Sequence, residues 1–213
     1  MSRKAVTVCS LVLTFLLILS YGVTINKNGL DCDLWGFLEK CIDNSQKLIF
    51  NGMIYILPVI YASCLQFAAP EYLIRARKDL LWRLTKRMVA VSAAMAAYVL
   101  GMLMITSAAM GFGIGFQAEL INIYFKILIF FLECHCLFYF IYALCLNSLL
   151  SLGAVFGINM VFLIILLWID FSGITQTDMM EVTIIFSVIV CMLAYIVLAA
   201  VIKKKEFLLK NDV

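Results

Sequence analysis

The sequence predicts an all-α, polytopic membrane protein with six transmembrane helices and both termini on the cytoplasmic side. Three observations carry that prediction. The 213 residues are 65% hydrophobic and only 14% charged, where a soluble domain is about 45–50% apolar and about 25% charged. Several apolar runs approach or exceed the roughly 20 residues that cross a bilayer as helix. Those runs also divide the basic residues unequally. Twelve of 16 fall on one side, as the positive-inside rule requires of a cytoplasmic face.

The whole chain, 1–213, reads as one transmembrane domain. Ser2-Arg3-Lys4 precedes a first span at about 5–23, which is long for a signal peptide and lacks a clear small-x-small cleavage site. Residues 24–48 form the largest outer loop, where Asp31, Asp33, Glu39 and Asp43 outnumber Lys27, Lys40 and Lys47. Leu34, Phe37, Leu38, Cys41 and Ile42 recur there at helical spacing, which predicts a short amphipathic helix on the outer surface beside Trp35. The second span, about 49–69, contains Pro58, which removes a backbone donor and kinks the helix.

Residues 70–87 are the one long polar interruption of this apolar pattern. They hold six of the 16 basic residues against two acids. At 100° per residue Leu73, Ala76, Leu80 and Leu84 share one arc. Glu71, Arg75, Lys78, Asp79, Thr85 and Lys86 gather on the opposite one, with Trp82 among them. Pro70 suits the first helical position, Glu71 complements the dipole, and Glu71, Arg75, Asp79 and Arg83 alternate in sign at i, i+4. An amphipathic cytoplasmic helix is therefore expected over 70–87.

A third span follows at about 88–110, with Ala93, Ala97 and Gly101 repeating a small residue at every fourth position, a face that lets another helix approach closely. Gly111-Phe112-Gly113-Ile114-Gly115 reads as an outer turn. The fourth span, about 122–146, ends in a tight turn around Asn147-Ser148. The fifth, about 149–169, carries Gly153 and Gly157 as a G-x-x-x-G close-packing face. A short acidic loop (Asp170, Asp178, Glu181) leads to the sixth span, about 182–202, which Lys203-Lys204-Lys205 closes on the inside.

The fourth span contains Lys126, Glu133 and His135. A carboxyl at mid-membrane is costly to ionise, so Glu133 is the candidate for a translocation path or proton-linked step, against a protonated residue hydrogen-bonded between helices. Lys126 lies two turns away, about 10 Å, too far for a simple pair. His135 points roughly 200° away from Glu133, so one acid/base unit on this helix is not expected. Six of the eight cysteines, Cys9, Cys64, Cys134, Cys136, Cys145 and Cys191, fall in spans and read as small apolar residues. Cys134-His135-Cys136 invites a metal reading, but successive helical residues point apart, and no metal is expected. Cys32 and Cys41 share the outer loop and are candidates for a disulfide.

The sequence has no G-x-x-x-x-G-K-[ST] loop, no H-E-x-x-H pair and no G-x-S-x-G elbow. The chain is expected not to be an enzyme and to hold no cofactor. Its positive charge lies where topology puts it, without a nucleic-acid motif, so no nucleic acid is expected as partner.

Six spans with a basic amphipathic helix between the second and third, of which Glu71-Tyr72-Leu73-Ile74-Arg75 is the most characteristic piece, resemble the membrane subunit of type-2 ABC transporters. In particular they resemble the small permeases of bacterial exporters that move or resist peptide antibiotics and bacteriocins. The resemblance implies that 70–87 is a coupling helix seated on a separate cytoplasmic ATPase, with ATP and Mg²⁺ in that partner chain. Glu71, Arg75, Lys78, Trp82 and Lys86 would then make the contact, a second permease copy or paralogue would complete the pore, and the location would be the bacterial plasma membrane. Unlike larger members, the chain has a short loop between spans five and six.

Three other readings stand beside this one. The first is the six-span substrate-binding subunit of an energy-coupling-factor vitamin importer, which docks through small-residue helix faces. The second is a membrane thiol oxidoreductase using Cys32 and Cys41, against which the absence of a C-x-x-C pair speaks. The third is a non-transporting immunity or scaffold protein.

Overall fold

In a lipid-facing chain every backbone N–H and C=O must be satisfied locally, and long apolar runs therefore become helices. A computed structural model describes residues 80–109, 119–172 and 179–211, together with Val8, Val12, Phe15 and Ile60. The long described segments are helical apart from Leu146 and Asn147, and form α1 (Leu80–Ala109), α2 (Glu119–Cys145), α3 (Ser148–Ser172) and α4 (Met179–Asn211). Among the described residues, three stretches are long and apolar enough to cross a bilayer: Leu120–Cys145, Ser148–Leu166 and Val182–Lys203. The chain is a membrane protein built, in its described part, from helices alone.

Helix α2 is the centre of the bundle. It packs against each of the other three, most extensively α4, and from Phe130 to Tyr139 only Leu132 is not fully buried. The contacts give the helix directions. Glu133 meets Ser187 and Cys136 meets Cys191, so α2 and α4 run parallel. Asn159 reaches back to Glu133, and Phe162 stacks on Phe186 with ring centroids 3.7 Å apart, so α3 runs antiparallel to both. Helix α1 joins α2 through Ser92 and His135, and α4 through Thr85 and Tyr195.

The turn between α2 and α3 is closed by local chemistry. Leu146 takes a left-handed φ of 53°, a conformation that ends helices. Asn147 then caps α3, its Oδ1 accepting from the amides of Leu149 (3.1 Å) and Leu150 (3.2 Å), two of the donors a helix start leaves open. We expect Asn147→Ala to cost about 1 kcal/mol, read as a lowered midpoint of thermal unfolding in detergent, with Asn147→Asp close to the parent chain.

One expectation changes. The basic stretch and the third span are not separate helices in their described parts: Leu80–Ala109 is one continuous helix through the expected boundary at 87/88. No glycine or proline lies between Leu80 and Leu100, and a change from charged to apolar side chains does not by itself interrupt backbone hydrogen bonding. The small-residue faces are used unevenly within the described bundle. Ala93 is half-buried and its carbonyl accepts from Tyr124 of α2 at 3.3 Å, whereas a methyl group added at Gly101, Gly153 or Gly157 would meet no neighbouring described atom within 4 Å. Helix α3 instead buries Ser151, Val155, Asn159, Phe162 and Leu166, a face at i, i+4, i+8, i+11 and i+15 that carries the only amide side chain of that span.

Spans 5–23 and 49–69 and the outer loop 24–48 lie outside the described residues except for Val8, Val12, Phe15 and Ile60. So do residues 70–79 and the Cys32–Cys41 pairing.

Candidate functional site

Large apolar side chains face outward from this bundle. Ile164, Trp168, Ile185, Met192, Leu193 and Ile196 are all about 60% exposed, as suits lipid contact, while polar groups turn in. Glu133 stands one residue past the midpoint of α2 and is fully buried. Its Oε2 accepts a hydrogen bond from Ser187 Oγ of α4 at 3.1 Å. Its Oε1 accepts a longer one from Asn159 Nδ2 of α3 at 3.5 Å, and that amide also donates to the Val155 carbonyl at 3.1 Å. One carboxyl thus ties three helices together at mid-bundle.

Those partners are neutral. Two neutral donors soften the burial of a carboxylate without cancelling its charge, so this packing calls for a compensating proton or cation. That requirement makes the position able to couple charge to helix movement, because separating α3 or α4 from α2 exposes the carboxyl to a different environment.

His135 faces the other way. Its Nδ1 lies 2.9 Å from Ser92 Oγ of α1 and 3.0 Å from the Phe131 carbonyl. Nδ1 either donates to the Phe131 carbonyl or accepts from the Ser92 hydroxyl, according to the tautomer. Nε2 is buried with no hydrogen-bond partner among the described residues. The imidazole stacks on Tyr139, with centroids 6.4 Å apart. Glu133 and His135 are accordingly separate units on opposite sides of α2, as their spacing predicts.

Trp82 and Lys86 lie near the charged end of α1. Trp82 is 60% exposed, and Lys86 Nζ sits 4.6 Å above its ring, a cation–π pair at i, i+4. Thr85, expected on the polar arc, turns inward, donating to the Leu81 carbonyl and pairing with Tyr195 of α4 at 3.1 Å. Glu71, Arg75 and Lys78 lie outside the described residues. The structure does not bring Trp82 and Glu133 together. It connects them through α1, whose Ser92 is ten residues, about 15 Å, beyond Trp82 and contacts the helix that carries Glu133. Lys126 is half-buried within α2, seven residues from its start.

Sequence reasoning passed over Asn159, Ser187 and Ser92 as partners. The available signal was a lone amide in an otherwise apolar fifth span, since polar side chains inside a membrane bundle pair across helices. No protein-family model, curated protein or solved structure matches the chain.

Proposed function

We propose that the chain is a six-span membrane subunit of a transporter, an ABC-type permease that exports a peptide, antibiotic or other amphiphilic substrate from a bacterial cell. ATP and Mg²⁺ act in a separate cytoplasmic ATPase, and a second permease copy or paralogue completes the path. The observation that carries this reading is the continuity of α1. An exposed, basic, Trp-bearing end and the inward-facing Ser92 lie on one unbroken helix, and Ser92 is bonded to α2. A helix transmits displacement along its axis, so a partner that moves Trp82 and Lys86 also moves the contacts around α2. Glu133 is the candidate residue of the translocation path, since its two hydrogen bonds must change when α3 or α4 shifts.

A second reading is favoured by the same carboxyl. Its Ser187 and Asn159 bonds also suit a static bundle, as in a non-transporting immunity or scaffold protein. Gentle detergent purification of the tagged chain from native membranes separates the two. The permease reading expects a stoichiometric P-loop ATPase and ATP hydrolysis in the eluate. A chain that elutes without any ATPase in several detergents overturns it.

A further inference from the structure

The eight cysteines read singly as small apolar residues, yet the fold places two of them against each other. Cys136 of α2 and Cys191 of α4 have their sulfurs 3.4 Å apart, the Cys191 thiol donating to the Cys136 sulfur. The approach follows from the register of two parallel helices. Glu133 and Cys136 are one turn apart on α2, Ser187 and Cys191 one turn apart on α4, and the first residue of each pair is bonded to the first of the other. The thiols are therefore held by the same face that holds the buried carboxyl. Cys134, two residues away and fully buried, is on a different side of α2 and has no such thiol partner among the described residues; Cys145 is exposed at the helix end.

Access is from the lipid. Cys136 is 3% exposed, but Cys191 is only half-buried and lies at the edge of α4's outer face, beside Val188 and Met192, which is 61% exposed. A reagent dissolved in the hydrocarbon layer reaches this sulfur from the side, whereas a water-soluble one must cross apolar surface.

We propose that Cys136 and Cys191 are a dithiol–disulfide modification site whose oxidant is a lipid-soluble two-electron acceptor of the quinone class. One S–S bond forms and two S–H bonds break. The two electrons and two protons reduce the quinone to quinol, and a dithiol reductant reverses the reaction. The bond would fix α2 to α4 one turn from the Glu133–Ser187 hydrogen bond, and so remove the relative motion of those helices. This inference stands independently of the transporter reading.

The test uses the full chain in its membranes, treated with a fully ring-substituted benzoquinone, then denatured and alkylated with N-ethylmaleimide. Cyanogen bromide cleaves after methionine and releases residues 111–160, which hold Cys134, Cys136 and Cys145, from 181–192, which hold only Cys191. The expected result is that these two fragments migrate joined in most chains after quinone and separate after dithiothreitol. Joining is expected to persist in Cys134→Ala and vanish in both Cys136→Ala and Cys191→Ala. Because Cys191 is half-buried, its alanine variant keeps the comparison usable where the buried Cys136→Ala fails to fold. Separate fragments with Cys191 alkylated after quinone treatment overturn the proposal, as does a joined product that survives Cys136→Ala.

Discussion

Glu133→Ala is expected to destabilise the bundle by about 2–4 kcal/mol, and Glu133→Gln by less than about 1 kcal/mol. Alanine removes the acceptor of both Ser187 and Asn159, each interhelical bond contributing about 0.6–1.7 kcal/mol in a membrane protein. It also leaves a cavity in a fully buried site, which adds a cost of its own. Glutamine keeps the volume. Its carbonyl oxygen still accepts from Ser187, and only the long 3.5 Å contact with Asn159 is given up, since that amide keeps its bond to the Val155 carbonyl. Unfolding of the purified variants in one detergent measures the difference. The functional outcome separates more sharply. Glutamine cannot carry the charge, so a translocation role predicts that Glu133→Gln abolishes substrate export while the protein remains folded. Export at the parent rate would reduce Glu133 to a structural tie between helices.

On the permease reading, Trp82→Ala is expected to weaken retention of the proposed ATPase by about 30-fold or more, corresponding to the roughly 2 kcal/mol or greater that a tryptophan hot spot contributes to an interface. Its effect on the fold should stay within about 0.5 kcal/mol, because the indole is 60% exposed, with the Lys86 ammonium over its ring. Thr85→Val supplies the contrast three residues away. Thr85 turns inward to Tyr195, so its loss should lower stability and leave partner retention unchanged. The ratio of ATPase to this chain in the eluate is the readout. Equal retention by Trp82→Ala and the parent chain removes this end of α1 from the interface.

Part of the site is legible in the residues alone. Glu133 and His135 are two residues apart on one helix, which turns them about 200° from each other; one indeed bonds α3 and α4, and the other α1. The mixed arc over 80–87 likewise placed Leu84 inward and Trp82 and Lys86 outward. Thr85 broke the pattern because a short hydroxyl satisfies itself on the Leu81 carbonyl and then fits a buried contact. The G-x-x-x-G signal is silent for a different reason. It reports what a helix face can accommodate, and nothing in α3's own sequence says which neighbour will use that face.

By itself the sequence determined that this is a membrane protein and where three of its crossing helices lie. Apolar length sets the crossing, and lipid leaves a backbone no alternative to internal hydrogen bonding. Only the tertiary structure decided how those helices are rotated about their axes. On α2, α3 and α4 nearly every side of the helix is apolar, so hydrophobic contrast between faces, which orients helices in soluble proteins, is too weak to choose one. The choice falls to packing and to the few polar groups that must find each other. That is why Asn159 and Ser187 meet Glu133, why Cys191 lands on Cys136, and why Gly153 and Gly157 face away from the described core.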